Sequence, residues 1–221
     1  MVDRPARDSR LALGGLLALL AALAAHALLG YPSGLPAAAI TSLMLVIPVL
    51  LAGNRGAAAL GIAVRPVAPS LLWFAAFAAL TLPPFFLLYP RLSGAWWFPF
   101  PPYAPAFDAP ALLRESLLQT LGVALPEEFF CRGFLQSAWG RARTRTWNVL
   151  GARVGWEWPA ASAAFALLHV PGAGAAGLGT FLPGLAFGWL FARTGRIWAG
   201  TLHHAACNVA LVALTGATGS G

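Results

Sequence analysis

The sequence predicts an all-α fold, a polytopic membrane bundle of about seven transmembrane helices. Three observations carry this. Hydrophobic residues make up 59% of the 221-residue chain and charged residues only 10%, where a soluble domain carries about 25% charged. The apolar residues come in uncharged runs, "LALGGLLALLAALAAHALLG" at 11–30, "SLLWFAAFAALTLPPFFLLY" at 70–89 and "AGAAGLGTFLPGLAFGWLFA" at 173–192, and a run of about 18 or more such residues marks a membrane-spanning helix. The basic residues, all of them Arg, lie mainly between the runs. When seven spans alternate from a cytoplasmic N-terminus, Arg4, Arg7, Arg10, Arg55, Arg65, Arg141, Arg143, Arg145, Arg153, Arg193 and Arg196 fall inside and only Arg91 and Arg114 outside. That asymmetry is the positive-inside pattern. The expected location is the inner (cytoplasmic) membrane, as a multi-pass protein with its N-terminus in the cytoplasm. The net charge of +7 is scattered among loops, so the expected surroundings are the lipid bilayer and not nucleic acid.

Residues 1–10 form a basic cytoplasmic N-terminus. The first span, 11–30, is long for a signal-peptide core of roughly 7–15 residues, so it reads as a retained helix. Cleavage at the small residues near Ala25 is the rival reading. Spans at 35–52 and 70–89 follow, then a Pro-rich aromatic loop over 90–110 whose Trp96, Trp97 and Tyr103 suit a membrane interface. These elements make up an N-terminal part, 11–109. The second part, 110–214, holds spans at 111–138, 158–170, 173–192 and 197–214, of which 158–170 is short enough to be half-buried or re-entrant. Residues 215–221 are a short tail. Cys131 and Cys207 both fall in spans and read as small buried hydrophobes; no zinc-finger spacing is present.

The second part also concentrates the polar groups at membrane depth, where ionisable residues are costly and mark function. "PEEFFCR" supplies Glu127, Glu128 and Arg132; "FALLHV" supplies His169; "TLHHAACNVA" supplies His203, His204 and Asn208. Glu128 and Arg132 are four apart and share a helix face, as do His204 and Asn208, and His203 and Cys207. Glu127 lies about 100° round from Glu128. At a rise of about 1.5 Å per residue, these groups reach similar depths along their spans, so one cluster is feasible. His26 stands apart as a packing or interfacial residue.

A carboxylate beside a neutral imidazole can hold and deprotonate water. A second His with an Asn offers donors to the oxyanion formed when water attacks an amide. Arg132 neutralises one of two buried carboxylates. No GxSxG and no HExxH sequence is present, so neither a serine nucleophile nor a thermolysin-type zinc site is indicated.

"EEFFCR", "FALLH" and "HAACN" resemble, in order, the EExxxR, FxxxH and HxxxN motifs of the CPBP family, the intramembrane proteases named for CAAX and bacteriocin processing. The resemblance spans roughly 110–212. It implies a catalytic core in which Glu127 activates water, Glu128 and Arg132 support it, His169 helps to hold the water, and His204 and Asn208 stabilise the oxyanion. It also implies an endopeptidase acting on a membrane protein or peptide, in its C-terminal segment. The stretch "FLPGLAFGWLFARTGRIWAGTLHHAACN" is similar to the bacterial branch that includes myxosortase-like enzymes, which are associated with removing C-terminal sorting tails. No cofactor is favoured; the alternative is zinc held by Glu127, His169 and His204. The alternative function is a non-catalytic protein of the same fold, an immunity or chaperone-like factor.

Overall fold

The computed structural model describes residues 4–29, 35–52, 57–93, 95, 102–105 and 108–216. Among these residues seven helices follow one another, with the contiguous helical turns of 109–141 taken as one: α1 (Arg4–Leu29), α2 (Leu35–Ala52), α3 (Ala68–Leu92), α4 (109–141), α5 (Glu157–Ala173), α6 (Phe181–Thr194) and α7 (Trp198–Thr215). Trp96 and Trp97 of the aromatic loop, and the tail from residue 217, lie outside the described residues. Tyr103 is exposed and its backbone N–H donates to Ser93 Oγ at 3.2 Å.

Each helix divides its apolar residues between a protein face and an outward one. In α1, Ala12, Leu16 and Leu19 are buried, while Leu13 and Leu17 are exposed. In α3 only Ser70 and Tyr89 are buried, and Leu71, Leu72, Leu80, Leu87 and Leu88 face outward. An outward surface this apolar suits lipid and not water. Three stretches, Pro5–His26, Ala68–Leu92 and Glu157–Thr194, are long and apolar enough to cross a membrane, and Ala38–Leu51 is a shorter apolar helix. Pro83, Pro84 and Pro90 sit inside α3, as tolerated in membrane helices whose neighbours re-satisfy the freed backbone groups. This is an all-α membrane protein.

The two spans expected at 158–170 and 173–192 differ in detail. Helix α5 continues to Ala173, a tight 3₁₀ segment (Gly174–Thr180) reverses the chain, and the next α-helix begins only at Phe181. The cause is the run "PGAGAAGLG" at 171–179: its glycines disfavour a regular helix and Gly174 takes φ +59°. Helices α5 and α6 then pack as a pair, with Trp158 Nε1 donating to the Leu185 carbonyl at 2.7 Å.

The 142–156 loop holds a short hairpin that its sequence does not announce. Strand β1 (Trp147–Val149) pairs antiparallel with β2 (Ala152–Val154). Leu150 and Gly151 form the turn with φ of 49° and 81°, the primed geometry that two-residue hairpins prefer. Trp189 Nε1 of α6 donates to the Val149 carbonyl at 2.7 Å and pins the hairpin to the bundle.

Contacts gather the arginine-bearing segments together. Arg141 pairs with Asp8 at 3.0 Å, Arg196 Nη2 donates to the Arg65 carbonyl at 3.1 Å, and Arg143 pairs with Glu157. The N-terminus, the α2–α3 link, the hairpin loop and the α6–α7 link thus meet at one end. Away from it, the Ala104 N–H donates to the Leu214 carbonyl at 2.9 Å. The main core joins α1, α2, α4, α5 and α6 through Leu16, Met44, Phe134, Phe165 and Phe187.

Candidate active site

Helix α4 provides the acids, and its winding decides where they point. Asp108 caps it, its Oδ2 accepting from the Ala111 N–H at 3.3 Å. Regular α-helical turns then alternate with wider π-helical turns at Gln119–Ala124 and Phe129–Gln136. Such i→i+5 windings are rare and gather at functional sites. Here the physical consequence is alignment. Gln119 and Glu128 are nine residues apart, about two and a half turns of a regular α-helix, so regular winding would turn them to opposite sides. Wider turns rotate less per residue, and both side chains reach α7: Gln119 Oε1 accepts from Asn208 Nδ2 at 2.9 Å, and Glu128 Oε1 lies 3.4 Å from His204 Nδ1.

The four-residue pair expected within α4 forms. Arg132 Nε lies 3.2 Å from Glu128 Oε2, with both side chains fully buried. Arg132 also donates from Nη2 to the Gly184 carbonyl of α6 at 3.2 Å and places its guanidinium 4.9 Å from the Phe165 ring centre. One cation thus joins α4, α5 and α6 around a buried carboxylate. Room for that carboxylate comes from α7, where a Cβ on Gly200 would stand only 3.1 Å from Glu128 Oε2.

Glu127 points differently, as its rotation round the helix requires. Its Oε2 lies 3.8 Å from His169 Nε2 and 3.8 Å from His204 Nε2. That oxygen atom is buried without a hydrogen-bond partner. His169 Nδ1 donates to the Phe165 carbonyl at 2.8 Å, since a carbonyl can only accept. In the neutral ring this leaves Nε2 as an acceptor. Two acceptors therefore face each other across a gap too wide for a direct hydrogen bond. A water molecule, with two donors, bridges such a pair from beside the line that joins them, at hydrogen-bond distance from both. The Glu127 and His169 side chains are 17% and 28% exposed, against 6% for His204 and 0% for Glu128, so the site opens on the Glu127–His169 side.

The adjacent histidines separate as their phase demands. His204 stacks on Phe187, with ring centres 4.8 Å apart. His203 turns towards α3, where its Nε2 lies 3.2 Å from Thr81 Oγ1 and Phe77 meets its ring edge-on. Cys207 Sγ lies 3.7 Å from His203 Nε2; both cysteines are free thiols. Glu127, Glu128, Arg132, His169 and His204 thus form one connected group. Asn208 joins it along α7, but its hydrogen bond runs to Gln119. Gln119 was missed in the sequence. It is a polar residue at membrane depth, but regular α-helical phase would have turned it away from Glu128.

The three donor atoms that could ligate zinc lie close together: Glu127 Oε2 is 3.8 Å from His169 Nε2 and 3.8 Å from His204 Nε2. Among the described residues no group of three or more His, Cys, Asp or Glu side chains is placed to hold a metal ion.

The described residues thus form a helical bundle with three candidate membrane spans and a buried acid–histidine cluster. Residues 109–210 match the family model described as type II CAAX prenyl endopeptidase Rce1-like, a model of the CPBP family. The match contains every residue of the cluster. No curated protein and no solved structure matches the chain.

Proposed function

We propose that the protein is an intramembrane endopeptidase that hydrolyses a peptide bond in the C-terminal segment of a membrane protein, by metal-free, Glu/His-activated water. The observation that carries this reading is the gap between Glu127 Oε2 and His169 Nε2, 3.8 Å wide and bounded by two acceptors. A water there donates one hydrogen to each.

Glu127 takes a proton as the water oxygen attacks the scissile carbonyl carbon, and a tetrahedral oxyanion forms. His204 and Asn208 stand on the α7 side as its donors, a role supported by their shared helix face. Glu127 then passes the proton to the amide nitrogen, and the C–N bond breaks to give a free amine and a carboxylate. Glu128 and Arg132 hold His204 and do not exchange protons with substrate. The arginine-rich end lies in the cytoplasm and the substrate is a sorting tail; the positive-inside rule and the likeness of the α6–α7 segment to myxosortase-like enzymes support these two assignments.

The test is cleavage of a tailed membrane substrate in proteoliposomes. Glu127→Ala and His169→Ala each abolish cleavage while the protein still inserts. Near-wild-type turnover by either variant rejects the mechanism.

A further inference from the structure

A second polar site lies at the arginine-rich end, beyond the catalytic cluster. A cavity of about 330 Å³ opens between the end of α4, the hairpin loop, the start of α5 and the end of α6. That is within the size range of small-molecule sites, which starts at about 300 Å³. Arg141, Arg143 and Arg153 line it together with Gln136 and Glu157.

Its charges are not all compensated internally. Arg143 pairs with Glu157 and Arg141 with Asp8. Arg153 is exposed on β2 and has no ion-pair partner among the described residues. Its position is fixed by the hairpin, where it stands opposite Asn148. The inner wall also carries unused acceptors. Glu157 and Gln136 are 2% and 4% exposed, yet Glu157 Oε2 and Gln136 Oε1 have no hydrogen-bond partner. The site therefore presents guanidinium donors for an anion and, on buried walls, two oxygens that want a donor.

We propose that this cavity binds the headgroup of an anionic phospholipid with free hydroxyls, of the phosphatidylglycerol class. The phosphate meets the guanidiniums, Arg153 above all, and the hydroxyls donate to Glu157 Oε2 and Gln136 Oε1. A membrane lipid suits the location. The cavity sits at the ends of α4 and α6, helices that expose the apolar side chains Leu113, Leu117, Leu121 and Leu182, and basic pockets between helices at a membrane face are the sites that hold anionic headgroups. A zwitterionic phosphocholine headgroup suits the site less well, because its ammonium offsets the phosphate charge and it has no hydroxyl to donate. The site also adjoins the catalytic cluster. Gln136 Nε2 donates to the Gly188 carbonyl at 3.0 Å, one turn along from the Arg132 bond to Gly184.

The experiment is thermal melting of the full chain in detergent, titrated with short-chain phosphatidylglycerol, with phosphatidylcholine of the same chains, and with inorganic phosphate. Phosphatidylglycerol raises the Tm saturably and phosphatidylcholine does not. Arg153→Ala weakens the apparent affinity by about fivefold, the worth of one arginine against an anionic lipid. It leaves the lipid-free Tm unchanged, because Arg153 is exposed. Arg153→Glu weakens it further. Equal stabilisation by both lipids, or wild-type affinity in Arg153→Glu, overturns the proposal. An equal response to inorganic phosphate also overturns it, since the site would then be one for a free anion. Displacement of the lipid by a substrate tail peptide at equimolar concentration reassigns the cavity to substrate.

Discussion

Gly177 lies against the backbone of His169, so close that a methyl group on it would stand 2.7 Å from the His169 carbonyl carbon and 2.8 Å from the carbonyl oxygen. The 3₁₀ segment that links α5 to α6 folds back on the end of α5, and only glycine admits that approach. The position of His169 therefore depends on a residue that carries no chemistry.

The first prediction follows from that contact. Gly177→Ala must push His169 or the 3₁₀ segment aside, because neither backbone can yield as a flexible side chain would. Misplacing a catalytic group by about 1 Å can cost on the order of 10²-fold. The overpacking itself costs about 1–3 kcal/mol. We expect kcat to fall at least tenfold in a variant that still melts cooperatively. Wild-type kcat in Gly177→Ala would show that His169 does not need this placement.

Arg132 tests the buried pair. Its guanidinium neutralises Glu128 in a fully buried setting and bonds the Gly184 carbonyl. Removing one partner of a buried ion pair typically destabilises by about 3–5 kcal/mol, because the other charge is left uncompensated. Arg132→Ala therefore lowers the Tm sharply, and adding Glu128→Gln to it recovers much of the loss. If the double variant is no more stable than Arg132→Ala, charge compensation is not what Arg132 supplies.

Metal dependence separates the two readings of Glu127, His169 and His204. With water as the bridging group, purified protein keeps its activity after prolonged chelation and carries little bound zinc. Loss of cleavage with phenanthroline, restored by stoichiometric zinc, would make those three residues ligands instead.

Much of this site was legible because cost marks function in a membrane. Charged groups stand out against spans of Ala, Leu and Phe, and the spacing of Glu128 and Arg132 already placed them on one face. The separation of His203 from His204 followed from helical phase alone. Gln119 was not legible for the opposite reason. Its contact with Asn208 depends on the π-helical turns at Gln119–Ala124, and no periodicity announces a change of winding inside an apolar helix. Gly177 and Gly200 escaped notice because a close approach is a property of two elements, and a single sequence shows only one at a time. The 147–154 hairpin is too short for strand alternation to register, and the basic residues around it read as loop.

Gln119 yields a further test. Its Oε1 takes one N–H of the Asn208 amide, which fixes the plane of that amide and leaves the second N–H for other use. Gln119→Met keeps the length and loses the acceptor. We expect a fall in kcat of about tenfold with KM nearly unchanged, the signature of an interaction felt in the transition state. A rise in KM alone would place Gln119 in substrate binding.

The adjacent histidines give the sharpest contrast. His204 lies between the two acids, with Nε2 3.8 Å from Glu127 Oε2 and Nδ1 3.4 Å from Glu128 Oε1. His203 faces Thr81 at 3.2 Å and Cys207 at 3.7 Å, on the α3 side of the same helix. If the oxyanion develops beside His204 and Asn208, loss of either donor lowers kcat by roughly 10²–10³. His203→Ala instead removes a packing and hydrogen-bonding contact between α3 and α7. Its cost appears mainly as a lower Tm, with kcat within a few fold of wild type. The measurement is kcat for His203→Ala, His204→Ala and Asn208→Ala on one cleavable substrate, each beside its melting curve. A kcat collapse confined to His203→Ala, with His204→Ala active, would mean that the oxyanion forms on the α3 side of α7, and Thr81 and Cys207 would become its neighbours in place of Glu127 and Glu128.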